Sequence, residues 1–200
     1  MKNFSKVFLT FKKNYKPIPL EVFGKNPYKV LVSVLLSSRT LDSTTKVSAE
    51  RLFRIAPNFK KLSLLSESSI EKLIYPVGFY KTKAKQLKTL SEIILRDFSG
   101  SVPKNPEDLT KLPGVGRKTA NLVLSRAFGK PAIAVDTHVQ KITNLLGWVK
   151  TNSPDQTTDR LEKILPKKYW GEINRLFVSI GQQYRGGKLI SFLKKNKLLK

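Results

Sequence analysis

Residues 112–120 read Leu112-Pro113-Gly114-Val115-Gly116-Arg117-Lys118-Thr119-Ala120. The stretch lies between a short helix predicted to open at Pro106 and a longer one predicted to end before Gly129-Lys130-Pro131. Two glycines in so tight a joint let one backbone come close to another, and the helix that follows offers free N–H groups at its positive end. Such a joint is a seat for phosphate. It holds a nucleic-acid strand by its backbone without reading the bases. A plain turn between two helices uses the same residue types, and one Gly-x-Gly is a weak signal alone; the charge of the chain is what weights the reading toward phosphate.

Thirty-eight Lys and Arg stand against fourteen Asp and Glu among 200 residues, a formal charge of +24. Self-repulsion on that scale costs folding free energy unless a polyanion neutralises it, so nucleic acid is the leading partner. A ribosomal protein or a solubilising surface is the alternative that composition leaves open. With 40% hydrophobic and 10% aromatic residues, the chain can bury the core of one domain or two small ones. There is no cysteine and only one histidine, which excludes a disulfide framework, a thiolate metal site, an iron-sulfur cluster and a histidine-rich metal site in this chain. The chemistry must come from Lys, Asp, Glu, Ser, Thr or Tyr.

No apolar run approaches the roughly 20 residues that span a bilayer, and no signal-peptide pattern opens the sequence, so an intracellular protein with no membrane partner is expected. Lys2, Lys6, Lys12, Lys13 and Lys16 give the first 20 residues a basic, acid-free look that would also suit a transit peptide. Phe4, Val7, Phe8, Phe11 and Tyr15 follow helical spacing, however, and favour a docked amphipathic helix.

Asn26-Pro27, Asn105-Pro106 and Ser153-Pro154 repeat one helix-start device, a capping side chain followed by proline at the first helical position. The first of these helices carries Tyr28, Val30, Leu31, Val32, Val34, Leu35 and Leu36, apolar nearly all round, as a buried central helix would be. Asp42 is expected to cap a helix with apolar positions Val47, Leu52 and Ile55, ending at Pro57. Helices over about 67–75 and 80–97 flank Pro76-Val77-Gly78, a joint resembling the one at Pro113–Gly116. Trp170, Ile173, Phe177 and Ile180 mark a helix ending near Gly181, and Gly186-Gly187 precede a short basic tail helix. Sustained two-residue alternation is absent. The predicted class is all-α.

From Leu112 to Ala120, through Asn121-Leu122-Val123-Leu124 and on to Ala134-Val135-Asp136-Thr137-His138, the sequence resembles the endonuclease III family of helix-hairpin-helix DNA glycosylases. Leu35-Leu36-Ser37-Ser38 with Asp42, Val77-Gly78-Phe79-Tyr80 with Lys83-Ala84, and Gly181-Gln182-Gln183 extend the likeness over almost the whole chain. The resemblance implies two helical lobes with a DNA-binding cleft between them, one of residues 20–132 and one of residues 1–19 and 133–200. It implies base-excision repair: removal of a damaged base, an oxidised pyrimidine, then nicking by β-elimination at the abasic site. The implied partner is double-stranded DNA with damaged bases or abasic sites, met by a monomer in the cytoplasm at the nucleoid. A glycosylase for mismatched or deaminated bases, an enzyme acting chiefly on abasic sites, and a non-catalytic helix-hairpin-helix DNA-binding protein are the alternatives.

In the implied chemistry Lys118 is the amine that attacks C1′ of the flipped-out nucleotide and forms a Schiff base. An ammonium in the first turn of a helix faces the positive end of the dipole, and closure of DNA over it disfavours the charge again, so both effects favour the nucleophilic amine. Asp136 is implied to stabilise positive charge developing on the sugar and to assist departure of the base. An aspartate just before a helix is also an ordinary N-cap, and the two roles are compatible. His138 reads as a packing or hydrogen-bonding residue.

The implied DNA contacts are Leu112, Gly114, Val115, Gly116, Arg117 and Thr119 in the hairpin, with Arg39, Phe79, Lys81 and Lys83 outside it. Phe79 stands where the family places an apolar wedge for the vacated base stack, although a core phenylalanine would fit the same pattern. Lys81, Lys83, Lys85 and Lys88 form an acid-free run suited to phosphates or to a solvated helix face. Arg39 replaces the glutamine often found there, which puts lesion and partner-base preference in question. The family's C-terminal cysteine quartet is missing, with Arg185 near the first expected ligand, so no cofactor is expected. DNA contact there is expected to pass to the tail residues Arg185, Lys188, Lys194, Lys195, Lys197 and Lys200.

Overall fold

The computed structural model describes residues 2–199, and every regular element among them is helical. In chain order the α-helices are α1 (Phe4–Lys13), α2 (Pro27–Ser37), α3 (Asp42–Ile55), α4 (Phe59–Ser63), α5 (Glu67–Ile74), α6 (Tyr80–Asp97), α7 (Pro106–Lys111), α8 (Arg117–Phe128), α9 (Thr137–Leu145), α10 (Pro154–Ile164), α11 (Trp170–Gln183) and α12 (Gly187–Lys195). Short 3₁₀ turns cover Pro19–Phe23 and Lys167–Tyr169. No described helix is long and apolar enough to cross a membrane. The chain divides into two compact units, Pro19–Gly129 and Met1–Ile18 with Lys130–Lys200.

The Pro19–Gly129 unit is organised around α2. Asn26 accepts from the Lys29 N–H at 3.0 Å and Pro27 occupies the first turn, so the helix begins where the sequence places it. Its residues from Val30 to Leu36 are all buried, because α3, α6 and α8 pack around it. The Tyr28 hydroxyl donates to the Ala56 carbonyl at 2.5 Å, tying the start of α2 to the end of α3.

Three local expectations are corrected. Asp42 is the first helical residue of α3 and Leu41 occupies the cap, without a side-chain bond. Val47 and Ile55 are exposed, and α3 instead buries Thr45, Ser48, Ala49, Leu52 and Phe53. Small side chains let two helices approach closely, and that outweighs the apolar spacing. The third is α4, which the sequence reading passes over; Asn58 caps it by accepting from Lys61 N–H at 2.9 Å, and Phe59 and Leu62 are buried.

In the other unit α11 packs against α1 and α9. Phe8 and Phe11 of α1 meet Phe177 of α11 at ring-centroid distances of 5.8 and 4.9 Å. Polar bonds fix the same junction: Ser179 Oγ donates to Lys16 O at 2.7 Å and accepts from Lys16 N at 2.9 Å, while Gln183 Nε2 donates to Asn14 O at 3.0 Å. The N-terminal segment is thus a docked helix. α11 ends at Gln183, near Gly181 as expected from the sequence. The tail helix α12 buries Leu189, Phe192 and Leu193 in this core.

Candidate active site and nucleic-acid surface

Asn105 caps α7 by accepting from Asp108 N–H at 2.8 Å, with Pro106 in the first turn. The chain then turns through Gly114 at φ +77°, a left-handed conformation suited to glycine. A Cβ there would also lie 2.6 Å from Oε1 of Gln86 on α6. Val115 N–H donates back to Leu112 O at 3.1 Å, and Gly116 becomes the N-cap of α8 at φ −91° and ψ 178°. No side chain caps that helix, and its first turn holds no acid. Its first N–H groups therefore have no intrahelical acceptor. Lys118 and Arg117 stand exposed in this turn, and Thr119 is half-buried beside them.

Leu112 and Val115, expected among the DNA contacts, are 2% and 5% exposed. Their side chains anchor the turn to the core and leave the glycine backbone at the surface. A Cβ at Gly116 would meet no atom of the protein. Nothing inside the fold requires glycine at that position.

A second cluster in the same unit joins the turn after α2 to the turn before α6. Arg39 and Phe79 both adopt left-handed backbone conformations, φ +52° and +57°, which are uncommon for non-glycine residues. Both side chains are exposed, Phe79 at 61%, and the Arg39 guanidinium lies 5.3 Å from the centroid of the Phe79 ring. Gly78 allows the two turns to meet, since a Cβ there would come within 2.5 Å of Arg39 O. Its N–H donates to Thr40 Oγ1 at 3.1 Å.

Lys83, expected to contact phosphate, is corrected by its surroundings. It is 5% exposed, and its Nζ donates to Leu36 O at 2.8 Å, Ser38 O at 2.5 Å and Thr40 Oγ1 at 3.3 Å. Burial lowers its pKa from the ordinary lysine value to about 8. Lys88 is also engaged, donating to Ser63 O and pairing with Glu92 at 3.3 Å. Lys81 and Lys85 stay exposed, so only half of the expected basic run faces solvent. A groove of about 250 Å³ connects the two clusters; Ser38, Arg39, Phe79, Gln86 and Gly114 are among its walls. Larger hollows of about 460 and 640 Å³ elsewhere in this unit are lined by none of the predicted residues.

Asp136, in the other unit, is the N-cap of α9: Oδ1 accepts from Val139 N–H at 2.9 Å. Among the described residues its other carboxylate oxygen takes no hydrogen bond. Ile133, Ala134 and Val135 just before it are buried, and Asn174 of α11 donates to Ala134 O at 3.2 Å. The half-buried carboxylate is thereby held on a fixed stem. His138 packs so tightly against Gly181 that any Cβ at Gly181 would overlap its ring. That contact joins α9 to α11 and agrees with the reading of His138 as a packing residue, although nothing in the sequence pairs it with Gly181.

No group of His, Cys, Asp and Glu among the described residues could hold a metal ion. The chain has no thiolate, so its donors do not fit an iron-sulfur cluster. The basic tail residues Arg185, Lys188, Lys194, Lys195 and Lys197 are exposed on and around α12; Lys200 lies outside the described residues.

Comparison with known proteins shows the family. The family described as HhH-GPD superfamily base excision DNA repair protein matches residues 32–167, a span holding every residue of the two clusters and Asp136. Endonuclease III of Thermotoga maritima is 44% identical over 158 residues, 79% of this chain and 74% of that protein. Endonuclease III-like protein 1 of Bos taurus is 42% identical over 159 residues, 78% of this chain; the match spans 52% of its own length, so this chain accounts for about half of that relative. Among solved structures, a trapped endonuclease III–DNA covalent intermediate in an estranged-adenine complex aligns with a TM-score of 0.76 at 35% identity, over 80% of this chain and 75% of that one.

Proposed function

The chain belongs to the HhH-GPD superfamily of base excision DNA repair proteins, and from that premise we propose that it excises damaged bases from DNA with Lys118 as nucleophile and Asp136 as the assisting carboxylate. Its activity is that of a DNA glycosylase with abasic-site lyase function, the class of its endonuclease III relatives. The observation that carries the assignment of residues is the exposed lysine in the uncapped, acid-free first turn of α8, directly after a glycine with open space around it.

The steps follow from these groups. The neutral Lys118 amine donates its electron pair to C1′, and the C1′–N bond breaks with its electrons leaving on the base, which takes up a proton. The attached nitrogen gives up one of its two protons, and the C1′–O4′ bond breaks with its electrons going to O4′, which takes up a proton; the open sugar is left joined to the enzyme as a protonated, electron-poor Schiff base that keeps the second N–H. Loss of a C2′ proton then expels the 3′ phosphate by β-elimination, and water releases the enzyme. Positive charge develops on the sugar in the first step, and Asp136 serves there, its position fixed by the bond to Val139 N–H. The hairpin backbone holds the strand by its phosphates, and Arg39 and Phe79 act on the bases exposed by flipping.

The proposed substrate is an oxidised pyrimidine in duplex DNA, met by a monomer acting on the chromosome inside the cell. No cofactor enters the proposed reaction. A panel of duplexes bearing oxidised, deaminated, mismatched and abasic sites, read for both base release and nicking, tests the proposal. Release and nicking at oxidised pyrimidines is the expected result; release confined to mismatched or deaminated bases would replace the substrate, and inactivity on every duplex would remove the enzymatic reading.

A further inference from the structure

A lysine without a carboxylate partner is an expensive residue to bury, because desolvation of the ammonium must be offset by hydrogen bonds. Lys83 makes no ion pair among the described residues and gives three hydrogen bonds, to Leu36 O, Ser38 O and Thr40 Oγ1. An ammonium has three N–H groups, so its donors match these acceptors in number. Two of the acceptors are carbonyls at the end of α2, whose last turn contains no basic residue of its own. Lys83, from α6, supplies the positive charge that favours a helix C-terminus.

The third acceptor carries the connection onward. Thr40 Oγ1 donates to Ser38 O at 3.2 Å and accepts from Gly78 N–H at 3.1 Å. Arg39 lies between Ser38 and Thr40, and Phe79 follows Gly78, so both turns are tied to one buried ammonium. Non-glycine residues held in the left-handed region persist where surrounding structure over-determines them. Here the two such residues carry the exposed side chains that stack on each other.

We infer that Lys83 is a positioning residue whose buried ammonium clamps the turn at 36–40 to the turn at 78–79, so that Arg39 and Phe79 project as one rigid pair toward the bases at the lesion. The inference rests on the reading of Arg39 and Phe79 as contacts made during damage processing. It assigns opposite-base discrimination to a unit of three residues and identifies the one that touches no DNA.

The test uses Lys83→Met, which keeps the apolar stem and removes every donor, alongside Arg39→Ala and Phe79→Ala. Single-turnover excision is measured opposite each of the four bases, with affinity for undamaged duplex and melting temperature measured on the same preparations. Lys83→Met should slow excision by roughly 10²-fold, the scale on which misplaced positioning groups act, and flatten discrimination among opposite bases while undamaged-duplex affinity stays at the wild-type value. The chain contains no cysteine, so Lys83→Cys can be alkylated at a single site with bromoethylamine in denaturant and refolded. The lysine-like side chain so formed should restore both rate and discrimination.

Wild-type excision and discrimination in Lys83→Met, with Arg39→Ala or Phe79→Ala impaired, would overturn the clamp. Recovery of melting temperature without recovery of excision after aminoethylation would overturn it too. If Arg39→Ala and Phe79→Ala both process damage like the wild type, the reading beneath the inference fails, and the inference falls with it. Should Lys83→Met not fold, Thr40→Val decides: it removes the shared hydroxyl, and wild-type discrimination in that variant would overturn the proposal.

Discussion

Two glycines and one aspartate separate what single residues do for the fold from what they do for DNA. Gly78→Ala places a Cβ against the Arg39 carbonyl, a backbone atom that cannot swing away, so a loss of about 1–3 kcal/mol is expected, read as a lower denaturation midpoint. Gly116→Ala meets no atom of the protein and should leave that midpoint unchanged, yet weaken binding to every DNA sequence alike if the hairpin backbone holds the strand as proposed. Unequal losses among sequences would mean that the hairpin reads bases. Asp136→Asn keeps the capping oxygen and should retain stability while base release slows; Asp136→Ala should lose about 0.5–2 kcal/mol as well. Equal activity in Asp136→Asn and wild type, measured by single-turnover base release, would leave Asp136 with only its cap. Gly78 and Gly116 were legible as joint glycines and Asp136 as a helix cap, because turn and cap chemistry is local. Lys83 was not: its acceptors include a carbonyl 47 positions earlier, and nothing in a run of lysines says which one turns inward. The contact between Gly181 and His138 was equally silent, since the two residues belong to different helices.

At the scale of elements, helix starts were read from the sequence wherever proline follows a capping side chain, because the N-cap bond spans three residues. Asn105 and Ser153 make those bonds, to Asp108 and Gln156. The face of α3 was misread because close packing selected Thr45, Ser48 and Ala49 over Val47. α12 read in sequence as a short basic tail helix, and its exposed lysines fit that reading; Leu189, Phe192, Leu193 and Leu198 are core residues as well. Burial of such side chains stabilises by roughly 1.5–3 kcal/mol each, so the four together rival the roughly 5–15 kcal/mol that holds a domain folded. Deleting residues 188–200 should therefore unfold the unit that contains α12. Replacing Lys188, Lys194 and Lys195 by Gln should instead leave the melting temperature in place and weaken undamaged-duplex binding, measured by fluorescence anisotropy. Unchanged affinity in the triple variant would remove α12 from the DNA surface.

The whole molecule carries +24, a charge that the fold tolerates and that DNA would neutralise. Affinity for undamaged duplex should fall linearly on a log–log plot against salt, losing about 10³–10⁵ between 50 and 200 mM if roughly 6–10 phosphates are neutralised. A flat response would show that charge is a solubility device only. Charge was the most legible property of the chain and the least specific, since it names a polyanion and no reaction. The proposed reaction turns on one bond, an imine between the enzyme and the sugar. Borohydride reduces such an imine to a stable amine, so it should fix the wild-type protein to duplex DNA containing an abasic site as a covalent complex visible by denaturing electrophoresis. Lys118→Gln keeps most of the reach and the hydrogen-bonding ability but has no amine; it should bind that DNA with little loss, yield no covalent complex and leave the strand uncut. Undiminished trapping in Lys118→Gln would contradict the account, because another amine would then be the nucleophile.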